Sequence, residues 1–387
     1  MKNKLTLAYV VPALFYPSGM ERVLTAKVNY FVNNFGYEIH IFLTDGKGKD
    51  PYYPLDPRVN IHHLDINFDG IFTLPLLQRT FIYFKKQRLF KKRLAEKLKH
   101  IKPDITVSLL RRDINFINDI DDGSLKVGEL HFNKLFYRQF TDNRFPVFLQ
   151  RIISNIWLQQ LLKNLRRLNA FVVLSYEDAG HWTALDNVSV IHNPLSFYPD
   201  EASPLTNKQV LAVGRITHQK GFDKLIEAWS LVHMRHPDWI LRIYGGGEVE
   251  NLQKMINHLG LTDSCFLEGG SADIGQKYKE SSIFALSSRY EGFPMVLVET
   301  MAYGVPAVAF ACPCGPRDII DDGEDGLLVE NGNISMLADR ICFLIEDDKE
   351  RMRLGANARN NIKRLQIDHI AQEWKTLFEA LFRIKEG

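Results

Sequence analysis

Val210-Leu-Ala-Val-Gly214-Arg215-Ile-Thr-His-Gln-Lys220-Gly221-Phe222 runs from an uninterrupted apolar segment, through a turn carrying two cations, into a helical pattern. Four apolar residues in a row suit a strand buried on both faces, as in a parallel sheet. Gly214 ends that strand, and Phe222–Val232 carries helical spacing. The pattern then repeats: Trp239–Tyr244 reads as a strand ending in three glycines, and Val249–Leu259 as a helix closed by Gly260. Ser264–Leu267, Ile283–Leu286, Ala307–Phe310 and Leu327–Val329 read as further strands, with helices filling the gaps. Strands that alternate with helices imply a parallel sheet covered on both sides.

The first half repeats this in weaker form. Leu5–Val11 is an apolar run ended by Pro12, and Met20–Phe35 has helical spacing closed by Gly36. Glu38–Leu43, Asp104–Leu109, Lys126–Leu130, Ala170–Leu174 and Ser189–Ile191 read as strands. Asn193–Asn207 breaks the alternation with Pro194, Pro199 and Pro204, and reads as a linker. The expected fold is α/β, with two Rossmann-like, doubly wound parallel-sheet domains facing across a cleft. The expected boundaries are 1–195, a linker at 196–207, 208–365, and a helix over 366–387 that crosses back to the first domain. In open parallel sheets, ligands bind beyond the carboxyl ends of the strands.

At 387 residues the chain is about twice a typical domain, which agrees with two cores. The net charge of +2 says little about partners. The four cysteines, Cys265, Cys312, Cys314 and Cys342, lack zinc-ligand spacing and read as free thiols in a reducing compartment. The start of the chain reads as a first strand, not a signal peptide. No apolar stretch approaches the roughly 18 residues that span a bilayer. The expected location is cytoplasmic, or peripheral on the inner face of the cell membrane. The Asn-x-Ser triplets at Asn187 and Asn333 read as chance matches.

Two segments carry chemistry. Arg215 and Lys220 sit between a strand end and a helix start, where a diphosphate can meet a planar fork of donors and a point charge. The bland alternative is a solvated loop. In Glu291-Gly-Phe-Pro-Met-Val-Leu-Val-Glu299, Gly292 permits tight backbone geometry and Pro294 suits a first helical turn. N–H groups around Phe293, Met295 and Val296 would then be free for an anion or hydroxyls. Glu291 and Glu299 do not share one helical face, so they read as two separate hydrogen-bond acceptors and not as a hydrolase pair.

Gly214-Arg215 with Lys220-Gly221, followed about 70 residues later by Glu-x7-Glu, resembles the retaining glycosyltransferases of family 4, which have the GT-B architecture. Ser18-Gly-Met-Glu-Arg22, Ile191-His-Asn-Pro194, Gly304-Val-Pro-Ala-Val308, Gly315-Pro-Arg-Asp-Ile-Ile320 and Asp325-Gly-Leu-Leu-Val329 are similar to further segments of that family. Ser18 stands where the family has its usual first glycine. The resemblance implies a nucleotide-sugar donor, UDP-sugar before GDP-mannose, held by the second domain. It implies a glycan or lipid-linked acceptor on the first domain, in surface-polysaccharide or glycoconjugate synthesis. Arg215 and Lys220 would neutralise the diphosphate, Glu299 would take the ribose hydroxyls, and Glu291 would contact the sugar. The backbone of Gly292, Phe293, Pro294 and Met295 would line the donor, with the base near Leu267–Ser271. Gly19 would let the first loop approach the phosphates. His131, in Glu129-Leu-His-Phe-Asn133, would face the donor sugar, and its alternative is a structural histidine. The resemblance implies no cofactor and no metal. Asp119-Ile-Asp121 matches a metal-binding pattern of another transferase fold but reads as a solvated acidic turn.

Residues 79–102 hold ten lysines and arginines against Glu96, interleaved with Phe81, Phe84 and Phe90 at helical spacing. Residues 134–167 add Phe136, Tyr137, Arg138, Phe145, Phe148 and Trp157. Such a pattern fits an anionic membrane surface, or else an exposed helix packed on its own sheet. Two other classes fit less well. A nicotinamide-dependent oxidoreductase would need a G-x-G-x-x-G after the first strand, which is missing. A nucleic-acid-binding protein using residues 79–102 would need a stronger charge and a recognition motif, so no nucleic-acid partner is expected.

Overall fold

The opening apolar run becomes β1 (Thr6–Val11), in which every residue but Thr6 is buried. The computed structural model describes residues 4–71, 75–136, 146–271 and 273–386. Tyr137, Arg138 and Phe145 lie outside them.

Two compact units emerge. The first comprises the chain up to Leu174, Ala179–Ser196, and the segment from Ile367. The second comprises Ser175–Asp178 and Phe197–Gln366. After β1 the first half follows the order α1 (Gly19–Tyr30), β2 (Glu38–Leu43), β3 (Asn60–His63), α2 (Leu76–Ile101), β4 (Ile105–Ser108) and β5 (Leu125–Glu129). Then come α3 (Val147–Leu165), β6 (Ala170–Val173), α4 (Tyr176–His181) and β7 (Val188–Val190). The sheet order is β3-β2-β1-β4-β5-β6-β7, and every pairing is parallel.

Alternation along β1 sets the packing. Ala8 and Val10 join the core built with Phe90, Leu94 and Leu98 of α2 and Leu161 and Leu165 of α3. Tyr9 points the other way, toward Lys27 of α1. The edge strand β3 was not anticipated. Its Asn-Ile-His-His sequence has one aliphatic residue and no alternation, and its pairing to β2 decides its conformation. The helix expected over Met20–Phe35 ends as α1 at Tyr30, and a wider π-type turn carries Phe31–Phe35 to Gly36.

The second unit holds β8 (Gln209–Val213), α5 (Phe222–Arg235), β9 (Ile240–Tyr244), α6 (Glu250–His258), β10 (Cys265–Gly269) and α7 (Ile274–Lys279). It continues with β11 (Ile283–Leu286), α8 (Met295–Ala302), β12 (Ala307–Phe310), α9 (Pro316–Ile319), β13 (Gly326–Val329), α10 (Ile334–Glu346) and α11 (Asp348–Asn361). Its sheet is β10-β9-β8-β11-β12-β13, again parallel throughout. The proline-bearing segment read as a linker runs through the boundary between the units, with Asn193–Ser196 in the first and residues 197–207 in the second. The Ser203 amide donates to the Tyr303 carbonyl (2.7 Å), Leu205 is buried, and Arg359 donates to the carbonyls of Pro199 and Asp200. The prolines disrupt regular pairing, but the side chains between them still have apolar and polar partners.

The last helix, α12 (Ile367–Glu386), belongs to the first unit. Trp374 and Phe378 are buried there, with Phe378 at 6.2 Å from Phe31. Trp374 covers a buried ion pair: the Lys27 ammonium lies 4.2 Å from its ring centre and donates to both Glu129 carboxylate oxygens, at 2.5 and 2.6 Å. Both side chains are about 1% exposed. No helix among the described residues is long and apolar enough to cross a membrane.

Breaking a buried pair strands a charge that water cannot reach. Lys27→Ala should therefore lower the unfolding free energy by ~3–5 kcal/mol in urea titrations. The double change Lys27→Met with Glu129→Leu should recover most of that loss, because apolar replacement of both partners strands neither charge.

Candidate functional site

The loop after β8 and the loop after β11 come together at the carboxyl ends of their strands. Three contacts fasten them. The Arg289 amide donates to the Gln219 carbonyl (2.8 Å), Ser287 Oγ donates to the Lys220 carbonyl (3.0 Å), and Gln219 Nε2 donates to the Tyr290 carbonyl (3.0 Å). Gly221 makes the approach possible. Its φ is +62°, and a Cβ there would sit 2.1 Å from the Ser287 oxygen.

This clamp brings Lys220 to Glu291, with Nζ 2.7 Å from Oε1 and side-chain exposures of 16% and 7%. Ser288 Oγ donates to the same oxygen at 2.6 Å. The sequence reading placed Lys220 beside a diphosphate, and the family resemblance placed Glu291 beside the sugar, without pairing the two. Arg215 differs: it is exposed, and its side chain makes no ion pair or hydrogen bond among the described residues. It is the cation available to a new anion.

Gly292, Phe293 and Pro294 form the turn into α8. Pro294 was expected inside the first turn and instead caps it, with its carbonyl accepting from the Leu297 amide at 2.9 Å. Among the described residues the amides of Met295 and Val296 have no backbone acceptor, as helix starts require. Gly315, at φ +98°, packs against this turn, where a Cβ would meet Pro294 Cδ at 2.6 Å. Glu299 lies deeper. It is 2% exposed and accepts from the hydroxyl of the fully buried Tyr278 at 3.0 Å. Ser288 and Tyr278 were both missed. One is a serine just before the motif and the other an aromatic on α7, and neither spacing nor composition marks them.

His131 and Gly19 belong to the first unit. His131 Nε2 lies 3.2 Å from Glu129 Oε1, on the carboxylate that also holds Lys27. Burial would push the Glu129 carboxyl up, but Lys27 and His131 hold it down at about 2. Burial pushes the Lys27 ammonium down, against the pull of Glu129. Gly19 opens α1, and a Cβ added there would touch nothing within 4 Å. Packing does not demand a glycine at that point.

Asp119 is half-exposed and paired with Lys91 (3.3 Å) and Arg167 (2.8 Å), which hold its carboxyl low. All four cysteines are free and buried, and burial pushes the thiols up, Cys265 and Cys314 to about 12. On α2, Lys86 caps the carbonyls of Ile66 and Asn67, and Arg93 those of Leu64 and Asp65. Those cations are structural. Phe81, Phe84, Lys85 and Arg88 stand on the opposite, exposed face.

Comparison with known proteins is decisive for the second unit: residues 197–361 match the family described as glycosyl transferases group 1. Residues 197–361 are similar to group 1 glycosyltransferase domains. Arg215, Lys220, Glu291 and Glu299 all fall inside this segment. Similarity extends beyond it. An amylovoran biosynthesis glycosyltransferase from Erwinia amylovora is 28% identical over 96% of this chain and 99% of its own. A Campylobacter jejuni protein is 25% identical over 93% of this chain and 94% of its own; it is named an α-1,4-N-acetyl-D-galactosaminyltransferase acting on a PP-undecaprenol-linked saccharide. The solved structure of Anabaena Alr3699/HepE in complex with UDP has the same fold, with TM-score 0.73 and 17% identity over 97% of this chain and all of that one.

The Glu129 carboxyl predicts an acid dependence. Its native value of about 2 lies below the ordinary 4.5, so the unfolded chain binds the proton more readily. The stabilisation is complete above about pH 4.5 and is lost as pH falls toward 2. Denaturation midpoints measured across that window should fall more steeply for the native protein than for Glu129→Gln.

Proposed function

We propose that the protein is a retaining glycosyltransferase that moves a sugar from a UDP-sugar, or secondarily GDP-mannose, to a glycan or lipid-linked acceptor in surface-polysaccharide or glycoconjugate assembly. The observation that carries this is the clustering of exposed Arg215, the Lys220–Glu291 pair and the open start of α8 within the segment similar to group 1 domains. A diphosphate fits beside Arg215 and Lys220, and the free amides of α8 suit phosphate or sugar oxygens. Lys220 and Ser288 both bond to Glu291 Oε1, and the role proposed for this carboxylate is to accept from a sugar hydroxyl. Glu299 is assigned to the ribose, with Tyr278 fixing its carboxylate. For His131 the proposed role is contact with the donor sugar, and beside it stands the Glu129 carboxylate, 3.2 Å from its Nε2.

In the proposed reaction the bond from the anomeric carbon to the phosphate oxygen breaks as the acceptor hydroxyl bonds to the same face. The acceptor proton passes to the departing diphosphate. Catalysis is positioning and charge stabilisation, with no metal or cofactor. The acceptor class draws on the Campylobacter relative, whose name specifies a lipid diphosphate saccharide.

Thermal-shift measurements should show stabilisation by UDP ahead of GDP. Arg215→Ala should cut turnover by about tenfold or more without unfolding the chain. Lys220→Ala should do the same and also lose stability, because it strands Glu291. Activity should survive EDTA; loss restored by Mg²⁺ would refute the metal-free mechanism.

Membrane association is part of this proposal. On α2, Phe81 and Phe84 are 74% and 61% exposed beside Lys85 and Arg88, and on α3 Phe148, Ile152 and Ile156 are at least half exposed at i, i+4 spacing. Apolar side chains flanked by cations fit an anionic lipid surface. The protein should float with anionic liposomes at low salt and less at high salt, and Phe81→Ser with Phe84→Ser should abolish flotation.

A further inference from the structure

The sheet pairing of β5 continues one residue past Glu129, where the Leu130 amide donates to the Val172 carbonyl at 2.9 Å. Side chains alternate along such a backbone. Leu130 joins the core shared with α2 and α3. Glu129 and His131 fall on the other side, where Glu129 meets Lys27 of α1. Beyond His131, Asn133 is buried and its Oδ1 accepts from the Leu135 amide at 2.7 Å. The backbone carrying His131 is thus held on both sides.

Its imidazole is not. His131 Nε2 is buried and has no hydrogen-bond partner among the described residues. It stands 3.2 Å from Glu129 Oε1, close enough for a hydrogen bond but out of line for one. A buried polar nitrogen without a partner is costly, so a small turn of the ring that brings the N–H onto this oxygen is favoured. The neighbouring cations are engaged elsewhere: Arg111 lies 4.4 Å from the Phe132 ring centre, and Lys134 donates to the His181 carbonyl.

The carboxylate is ready to accept. Lys27 donates to both of its oxygens, at 2.5 and 2.6 Å, which fixes its plane. The Trp374 and Tyr9 rings, with centres 4.2 and 5.6 Å away, cage the ammonium in turn. Burial alone would favour a protonated Glu129, which presents a donor where an acceptor is needed. Lys27, and after it His131, keep the group ionised. Two buried charges add little stability over two apolar side chains. Stability alone does not account for the pair, and the imidazole beside it supplies a second use. In a neutral imidazole one nitrogen donates and the other accepts, and the bond made by one decides the role of the other.

We infer that Glu129, locked by Lys27, is a positioning residue for His131: it holds the Nε2–H tautomer, so that Nδ1 accepts a hydrogen bond from a hydroxyl of the donor sugar. This rests on the donor contact proposed for His131 above, whereas the tautomer can be read without it. Nitrogen-15 NMR of the histidine-labelled full chain in mildly alkaline buffer reads it directly, the His131 signals being those missing from His131→Ala. The native protein should show the Nε2–H form. Lys27→Met with Glu129→Leu, which strands neither charge, should lose that preference. UDP release from UDP-glucose, UDP-galactose and UDP-N-acetylglucosamine is the second readout. The double change should lower kcat about tenfold, as expected for one lost hydrogen bond, with KM within about twofold. In a His131→Ala background it should have no further effect. The Nδ1–H form or an imidazolium in the native protein overturns the inference and needs no variant. A kcat loss that persists in the His131→Ala background overturns it too, because the pair then acts through the fold and not through His131. The expected tautomer, lost in the double variant of a protein that neither releases UDP nor is thermally stabilised by it, supports the hold on His131 and sinks the transferase reading.

Discussion

Lys27 and Glu129 form an ion pair that water does not reach, and much of the first unit is arranged around it. The ammonium comes from α1 and the carboxylate from the end of β5, while Tyr9 of β1 and Trp374 of α12 cover the ammonium. One interaction thus ties two strands, the first helix and the last helix. A buried pair adds little net stability over an apolar pair, yet it tolerates no loss of either member. Its value here is geometric: the Glu129 oxygen that meets Lys27 also stands 3.2 Å from His131.

The second unit uses the same device nearer its surface. Lys220 and Glu291 pair at the carboxyl ends of β8 and β11, where two loops are clamped by hydrogen bonds to backbone carbonyls. Because Lys220 is partly neutralised by Glu291, Arg215 is left as the cation with no internal partner among the described residues.

Much of the architecture was legible because parallel strands buried on both faces must be apolar throughout. Val210–Val213, Ile283–Leu286 and Ala307–Phe310 carry that signature, and each is a strand. Asn60–His63 does not, since an edge strand with one aliphatic residue looks like a loop until its neighbour is known. The basic run on α2 was visible in composition, but only packing separated Lys86 and Arg93, which cap loop carbonyls, from the exposed Lys85 and Arg88.

The amino-acid sequence by itself determined the two parallel α/β units and singled out two loop segments, from Arg215 to Lys220 and from Glu291 to Glu299, that the fold brings together. Those features rest on hydrophobic runs and short-range spacing, which a linear chain displays directly. Tertiary structure alone decided which charges meet. Lys27 finds Glu129 across 102 positions and Lys220 finds Glu291 across 71. The physical reason is that an ion pair is a property of neighbours in space, and in a parallel sheet the neighbours at the strand ends come from distant parts of the chain.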